Sequence, residues 1–264
     1  MNGKNSFLGV IFAFLTAFFL FGALFFSVLL VMSLRPTVLT LVKKSDYSKK
    51  AALEAEERLE AVAQAGGFGD GFFDGVVTKN AVEKNLTAFI NCSFSGKNFT
   101  ADETVLRQKL NDKIFGAAEE KMSGYSAETR ATLEQTVSLC VKEALSTAAP
   151  DVIGYLCRFS GRFKKTFAAA ALIFSALFIS AVFVLKKQSK RLIKTSLISA
   201  ALMLSLAPFL ALVFVKFENL GIESLALKDF LILFVLCLLA ALIFAAVLVF
   251  VTAIFLRKKD PVSC

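Results

Sequence analysis

Four long uncharged runs of apolar residues lie along the chain, separated by segments in which apolar and charged positions alternate at helical spacing. The runs cover residues 5–34, 166–185, 195–215 and 230–256. A helix rises about 1.5 Å per residue and the hydrocarbon core of a bilayer is about 30 Å thick, so roughly 20 apolar residues cross it. The pattern therefore predicts an all-α membrane protein with four transmembrane helices, whose first partner is the lipid bilayer.

The first run is too long for the apolar core of a secretory signal peptide, which has about 7 to 15 residues. We therefore expect residues 1–43 to form an uncleaved N-terminal transmembrane anchor. Arg35 and Pro36 follow this run. They predict a stop or a kink, because proline lacks the N–H group that would bond one turn back.

Residues 43–165 differ in composition from the four runs, with 18 Lys and Arg residues against 17 Asp and Glu. Apolar residues recur there at the spacing of amphipathic helices, without the alternation typical of strands. Residues that suit helix N-termini stand at Asp46 or Ser48, at Thr78, at Thr100 with Glu103, and at Ser126. We therefore predict that residues 44–162 form an all-helical domain in water, between transmembrane helices 1 and 2.

Charges that flank the runs predict the orientation of the chain, because short cytoplasmic segments are enriched in Lys and Arg. Eight such residues lie in the link between the second and third runs and in the C-terminal tail: Lys186, Lys187, Lys190, Arg191, Lys194, Arg257, Lys258 and Lys259. They outweigh Arg35, Lys43 and Lys44, which give the opposite signal. We expect cytoplasmic termini, an extracytoplasmic domain at residues 44–162, and a three-helix bundle with a basic loop and tail at residues 163–264.

A glycine-rich segment, residues 66–75, interrupts the helical pattern of the domain. Closely spaced glycines make a helix costly, so we expect a turn pinned by Phe68, Phe72 and Phe73. Asp70 and Asp74 raise the alternative of a calcium loop. Their spacing lacks the Asp-x-Asp-x-Asp-Gly order of an EF-hand, so the turn is the preferred interpretation.

The five cysteines are Cys92, Cys140, Cys157, Cys237 and Cys264. Cys237 lies inside the fourth run and is interpreted as a packing residue. Cys92 and Cys140 are candidates for a disulfide between two helices of the extracytoplasmic domain. The other interpretation is that both are small buried residues with free thiols.

Asn85, Asn91 and Asn98 each begin an Asn-x-Ser/Thr sequon within one segment of this domain. In a eukaryotic secretory route such sequons accept glycans. In a bacterium the matches are incidental, which is the interpretation we prefer.

The composition excludes several familiar chemistries. The chain has no histidine, which removes the commonest metal ligand, the usual haem b ligand and the usual general base near neutral pH. Cys-x-x-Cys, Walker A, Gly-x-Ser-x-Gly and His-Glu-x-x-His motifs are missing as well. The net charge of +9 comes mainly from the membrane flanks, so it does not indicate nucleic-acid binding. We expect no cofactor, no metal and no nucleic-acid partner.

Polar residues inside the four runs bear on transport. None of them is ionisable, whereas ion-coupled carriers place ionisable groups along the path of the ion. Hydroxyl groups in these runs are interpreted as helix contacts or backbone hydrogen bonds: Thr16, Ser27, Ser175, Ser180, Ser196, Ser199, Ser205 and Thr252. Pro208 predicts a kink in the third transmembrane helix and is a candidate hinge.

Three hypotheses for the function follow from this pattern, which leaves the oligomeric state open. The leading one is a non-enzymatic interaction or sensory protein that binds protein partners through its extracytoplasmic domain. A channel or permease component is the alternative, motivated by the three clustered helices and Pro208. A membrane enzyme comes third and needs a pocket that gathers carboxylates such as Asp70, Asp74 and Asp102.

One anchor, a helical domain and three clustered runs follow one another along the chain. The domain carries Phe72-Phe73-Asp74-Gly75-Val76-Val77-Thr78 and then Val82-x-x-x-Leu86. This order resembles uncharacterised membrane proteins of Gram-positive bacteria. The resemblance implies a bacterial plasma membrane, and it implies no activity and no site residues.

Overall fold

The computed structural model describes residues 3–121, 124, 126–148, 151–186, 190–214 and 223–258. These residues form α-helices joined by turns and short irregular segments, and no strand occurs among them. In chain order the helices are α1 (Gly3–Met32), α2 (Arg35–Lys44), α3 (Tyr47–Ala65), α4 (Lys79–Ser95), α5 (Thr104–Lys121), α6 (Ala127–Ala148), α7 (Asp151–Lys186), α8 (Lys190–Phe214) and α9 (Leu225–Lys258). The prediction of an all-α protein is confirmed.

The chain divides into two compact units. The apolar unit comprises Met1–Leu34, Arg162–Gly221 and Ile232–Cys264. The amphipathic unit comprises Arg35–Gly161 and Ile222–Leu231. Helices α7 and α9 therefore contribute residues to both units, and the start of α9 belongs to the amphipathic unit.

Among the described residues, three helices are long and apolar enough to cross a membrane, over Phe7–Met32, Val152–Lys186 and Leu225–Phe255. Large apolar side chains on these helices are exposed, with Leu172 at 72% and Phe255 at 67%. Extended apolar surface of this kind marks contact with lipid or a partner, because its exposure to water is unfavourable. These are the features of a multi-pass membrane protein.

The third predicted transmembrane helix, residues 195–215, lies in α8. The backbone of α8 is helical through residue 214, including position 208. Residue 215 and the side chain of Pro208 lie outside the described part of the chain. That α8 crosses the membrane, which would bring the number of transmembrane helices to four, therefore stays a prediction, as does the hinge at Pro208.

Helix α1 packs against three helices of the apolar unit. Buried residues of α8 and α9 form one cluster with half-buried residues of α1 and α9: Leu204, Leu242, Ala245 and Ala246, with Phe21, Leu24, Phe25, Val28 and Leu238. On α7, the Phe174 ring lies 5.9 Å from that of Phe18 and 5.5 Å from that of Phe26. A Cβ atom at Gly22 would lie 2.3 Å from the Phe174 ring, so this contact requires glycine.

Helix α3 contacts α2, α4 and α6 in the amphipathic unit. The largest core side chains are each at most 1% exposed: Tyr47, Leu59, Phe73, Leu86, Ile90, Leu110, Ile114, Val137 and Ile153. Burying one Leu, Ile or Phe side chain contributes about 1.5–3 kcal/mol. The predicted helical domain therefore has a core of its own.

Two of the predicted helix starts are confirmed. The Thr78 hydroxyl accepts a hydrogen bond from the Ala81 N–H at 3.4 Å, and α4 begins at the next residue. The Ser126 hydroxyl accepts one from the Thr129 N–H at 3.2 Å, ahead of α6. Local hydrogen bonding thus decides where these two helices begin.

The other two helix starts differ from the prediction in part. Asp46, one of the two predicted caps, is the N-cap residue of α3, but it has φ of 54° and makes no side-chain capping bond, and the alternative, Ser48, is buried inside the helix. Helix α5 begins at Thr104 and not directly after Thr100, so the capping box is wrong. Asp102 accepts a hydrogen bond from the Thr104 N–H at 3.3 Å instead.

The stop predicted after the first run is confirmed, since α1 ends at Met32. A short helix that the pattern did not predict, α2, then begins at Arg35. Pro36 is compatible with it, because the first helical turn needs no N–H donor.

Candidate functional site

A groove in the amphipathic unit is the strongest candidate site. Its walls are residues 76–85, residue 102, α5 and the end of α6, and its volume is about 260 Å³. Most of the lining is apolar: Val76, Val77, Ala81, Val82, Val105, Leu106, Ala144 and Leu145. Ligand sites in proteins are typically concave and apolar with a few fixed polar groups, and this groove has that character.

Three charged side chains border the groove: Lys84, Asp102 and Lys109. Lys84 Nζ lies 2.8 Å from Asp102 Oδ2. The hydrogen bond from Lys84, and then one from the Thr104 N–H, hold the pKa of Asp102 below its usual range, so its carboxyl is ionised at neutral pH. Lys109 pairs with no carboxylate among the described residues. These three side chains therefore carry one net positive charge.

The buried amide of Asn85 fixes the segment that carries Asp102. Asn85 Nδ2 donates to the Asp102 carbonyl oxygen at 3.3 Å, and Asn85 Oδ1 accepts from the Asp102 N–H at 3.0 Å. Helix α4 thereby sets the position of the Asp102 carboxylate. The Asn85 side chain is also inaccessible to a glycan in the folded protein, since the residue is 9% exposed.

The glycine-rich segment forms turns against α3, which confirms the predicted turn. Glu60 accepts a hydrogen bond from the Gly71 N–H at 2.8 Å, and Glu56 accepts one from the Gly75 N–H at 2.9 Å. Both glycines have φ above +70°, a region that favours glycine. Carboxylates of α3 therefore hold this loop through its backbone.

The three phenylalanines of the segment also form the predicted cluster. The rings of Phe68 and Phe72 stack with centroids 4.3 Å apart, and those of Phe72 and Phe73 meet edge to face at 4.8 Å. Phe73 is 1% exposed, so it anchors the loop in the core.

Two lysines of α5 hold the carbonyl oxygens of the same loop. The accepting carbonyls are those of Phe72 and Asp74 for Lys113, and those of Gly75 and Val76 for Lys109, at 2.8 to 3.4 Å. Calcium sites are built from oxygen ligands, including backbone carbonyls. Ammonium groups occupy four such oxygens here, which argues against calcium at Asp70 and Asp74.

The structure does not bring Asp70, Asp74 and Asp102 into one pocket. Asp102 lines the groove, whereas Asp70 and Asp74 lie on the glycine-rich loop, where Asp70 accepts from the Gln64 amide at 3.3 Å. Within the described ranges, no three His, Cys, Asp or Glu side chains are grouped as metal ligands. These three carboxylates therefore do not form the pocket that the enzyme hypothesis requires.

Cys92, Cys140, Cys157 and Cys237 are free thiols in the structure. Cys140 is buried, and burial raises the pKa of its thiol. No disulfide joins Cys92 to Cys140 here, so the free-thiol alternative describes their present state and the disulfide stays a prediction.

Polar side chains of α3 hold the first turn of α9 within the amphipathic unit. Glu54 Oε1 accepts from the Ala226 N–H at 3.0 Å, and Glu54 Oε2 accepts from the Ser224 hydroxyl at 2.9 Å. Lys50 forms an ion pair with Asp229. A helix start leaves N–H groups unpaired and carries partial positive charge, so the Glu54 carboxylate stabilises it in both respects.

Tyr47 lies beside these contacts and is 0% exposed. Its ring meets that of Phe230 edge to face at 6.4 Å, and its hydroxyl has no hydrogen-bond partner among the described residues. Burial, and then the negative charge of Glu54, raise the pKa of the Tyr47 phenol. Leaving a buried hydroxyl unpaired costs about 1–3 kcal/mol, so packing holds this side chain in place.

Hydroxyl groups in the apolar helices bond to their own backbone. Each donates to the carbonyl oxygen four residues earlier at 2.7–2.9 Å: Thr16, Ser27, Ser175, Ser180, Ser205 and Thr252. The interpretation as backbone-bonded is confirmed for these residues, whereas Ser196 on α8 is 1% exposed and its hydroxyl has no hydrogen-bond partner among the described residues. The donors of the bonded hydroxyl groups are therefore not presented to a solute.

No protein-family model, curated protein or solved structure matches the chain. We therefore infer the function from the geometry of the groove and of the loop that supports it.

Sequence reasoning named Asp102 but missed the residues that build the site around it. Lys109 and Lys113 are four residues apart, which places both on one face of α5. Together with a glycine-rich loop elsewhere in the domain, that spacing is the signal from which they could have been found. Glu54 gave no comparable signal, because its partners are 170 and 172 residues away along the chain.

Proposed function

We propose that this chain is a bacterial plasma-membrane protein with four transmembrane helices, and that it is a non-enzymatic interaction or sensory protein. In this proposal both termini are cytoplasmic and residues 44–162 are extracytoplasmic. The ligand or partner binds in the groove between α4, α5 and α6. The groove is the observation that carries the binding function, and the three long apolar helices support the membrane location.

The polar groups around the groove favour binding over catalysis. A catalytic site needs a nucleophile or an acid and base held close to each other and to the substrate. Here Asn85 fixes the backbone of Asp102, and Lys109 donates to carbonyl oxygens of the loop. Lys84 and Asp102 form an exposed ion pair. These groups position the walls and provide charge.

The start of α9 supports the sensory part of the proposal. Residues 225–231 belong to the amphipathic unit, yet α9 continues as one helix to Lys258. A change in α3 that moves Glu54 therefore alters the cap of a helix that is long enough to cross the membrane.

Photo-crosslinking in intact cells tests whether the groove is occupied. A benzophenone amino acid replaces Val105, which lines the groove and is 57% exposed, and in a control it replaces Leu139, which is 63% exposed on α6 and does not line the groove. We expect an adduct at position 105 that is absent at position 139. Ala81→Trp fills the groove and should remove that adduct, whereas Ala131→Trp on the exposed surface of α6 should leave it. Equal adducts at both positions would show that the groove binds nothing.

The proposed topology is tested separately by cysteine accessibility in a variant without native cysteines. A membrane-impermeant maleimide should label Glu128→Cys in intact cells and should label Lys190→Cys only after the membrane is permeabilised. Labelling of both positions in intact cells would place them on the same side of the membrane. It would contradict the proposed topology of four transmembrane helices, even if the groove binds a ligand.

A further inference from the structure

We propose that the groove binds a medium-chain fatty acid, with its carboxylate at Lys109 and its acyl tail between α4, α5 and α6. The proposal rests on the function proposed above and names the chemical class of the ligand. It follows from the size of the groove, the composition of its walls and the sign of the charge beside it.

The size and lining of the groove fit one acyl chain. An apolar cavity of about 150 Å³ takes one benzene ring of six carbons, so a volume of 260 Å³ takes a chain of about ten carbons. Val76, Val77 and Val82 are buried at its base, whereas Leu106 and Leu145 are half-buried on its sides. An aliphatic tail can thus exchange water for apolar contacts along most of its length.

The charge of the groove fits one carboxylate. Lys109 Nζ donates to two neutral carbonyl oxygens, at 3.2 and 3.4 Å, which leave its positive charge uncompensated. The Lys84 ammonium group lines the same groove but is already bonded to Asp102 Oδ2 at 2.8 Å, so Lys109 is the cation left for a ligand. A carboxylate at Lys109 forms charge-assisted hydrogen bonds, which are stronger than those between neutral groups.

Asp102 narrows the choice of ligand. Its ionised carboxylate lines the same groove, so together with Lys84 and Lys109 it leaves one net positive charge, which a monoanion neutralises and a dianion exceeds. A cationic amphiphile is repelled by the positive charges of Lys109 and Lys84. A neutral alcohol is not repelled, but it forms no charge-assisted hydrogen bond as a carboxylate does. A stable protein interface covers about 800 Å² on each side, so the groove by itself is too small to hold a protein partner, whereas it accommodates one acyl tail.

The test uses the full chain in nanodiscs of zwitterionic lipid and a decanoic acid that carries a diazirine near its methyl end. After illumination, mass spectrometry should find the label on peptides that contain Val105, Leu106 or Leu145. Decanoate should compete with this labelling at least tenfold better than decanol or decyltrimethylammonium. Labelling of lipid-exposed apolar helices is expected with every probe and serves as an internal reference.

Two sets of variants test separately the charge of Lys109 and the space inside the groove. Lys109→Gln should weaken decanoate competition at least fivefold, and Lys109→Arg should restore most of it, because arginine retains the charge and the donors. Lys142→Gln removes an exposed lysine of α6 that does not line the groove and should have no effect. Ala81→Leu should reduce labelling by filling the groove, while Ala131→Leu should not.

The outcomes distinguish this inference from the function on which it rests. Equal competition by decanoate and decanol would overturn the assignment of a carboxylate while leaving a ligand-binding groove. A protein adduct at position 105 in cells, without labelling by the decanoate probe, would replace the fatty acid by a protein partner and keep the interaction function. Neither labelling nor an adduct would overturn both proposals.

Discussion

The apolar and amphipathic units use their polar side chains in different ways. In the apolar unit, Ser175 and Thr252 bond to carbonyl oxygens of their own helices, so they join no two helices. In the amphipathic unit, Glu56 and Lys113 bond to the backbone of a loop that follows α3 and precedes α4. These polar side chains therefore join no helices in the apolar unit, whereas in the amphipathic unit they fix a loop to two helices.

The difference reflects the surroundings that each unit is built for. Lipid tails are as apolar as leucine, so helices in lipid associate through close packing and not through the hydrophobic effect. A domain in water gains stability from apolar burial and uses polar bonds to place its loops. Enlarging a side chain should therefore harm the apolar unit most, and truncating one should harm the amphipathic unit most.

The largest expected effect is that of Phe73→Ala. Removing a buried phenylalanine typically costs about 3–5 kcal/mol, because contacts are lost and a cavity remains. Thermal unfolding and hydrogen exchange of α3 and α4 in the full chain should show this loss. Phe183→Ala on α7, where the side chain is 64% exposed, should leave both measurements close to those of the wild type. A similar loss in the two variants would show that burial of the Phe73 ring does not stabilise the amphipathic unit.

Gly22→Ala should destabilise the contact between α1 and α7 by about 1–3 kcal/mol, the usual cost of overpacking. The added Cβ atom would lie 2.3 Å from the Phe174 ring, so the ring or one of the two helices has to shift. Gly116→Ala is the matched control in α5, since a Cβ atom there meets nothing within 4 Å. Thermal unfolding in detergent measures both, and Phe174→Leu should rescue Gly22→Ala in the double variant.

Glu54→Gln should weaken the cap of α9 by about 1 kcal/mol, because the charge that complements the helix start is lost. Hydrogen exchange at the amides of Ala226 and Leu227 should become faster. Glu57→Gln changes an exposed carboxylate of the same helix and should leave those amides unchanged. Equal exchange rates in the two variants would mean that the carboxylate does not cap α9.

Ser175→Ala should change the stability of the apolar unit by less than about 0.5 kcal/mol, because the lost bond lies within one helix. Asn85→Ala should cost about 1–3 kcal/mol, since the Asp102 backbone loses both of its partners. Thermal unfolding of the two variants measures the contrast between the units directly. A larger effect for Ser175→Ala would reverse it.

The smallest expected effect is the pH dependence that comes from Asp102. Its folded pKa is lowered, so the contribution of its bond to Lys84 is complete above the unfolded pKa of about 4 and is lost as pH falls through the folded pKa. The unfolding midpoint of Asp102→Asn should therefore fall less than that of the wild type between pH 5 and pH 2. Parallel curves would show that this pair does not affect stability.

Local patterns in the sequence predicted much of the fold. The helix starts at Thr78 and Ser126 depend on residues within one helical turn, and the turn at residues 66–75 was predicted from its own closely spaced glycines; all three are confirmed. The capping box at Thr100 failed although its pattern was good, because Asn85 binds the Asp102 backbone and moves the helix start to Thr104. A contact between distant segments thus overrode a local preference.

The candidate site was less predictable than the fold because it depends on such contacts. Its apolar walls come from residues 76–82, α5 and α6, which the sequence shows only as separate amphipathic stripes. The roles of Lys109 and Lys113 depend on carbonyl oxygens more than 30 residues away. Charge and periodicity identify a helical face but not which loop lies against it.

The Glu54 cap has a consequence for biogenesis. Glu54 is synthesised 170 residues before Ser224, whose hydroxyl group donates a hydrogen bond to it. The amphipathic unit can therefore form most of its core before the start of α9 is synthesised, but the two bonds of Glu54 form only once Ser224 and Ala226 have been made. Completion of this unit thus waits for the first turn of a helix whose remaining length belongs to the apolar unit.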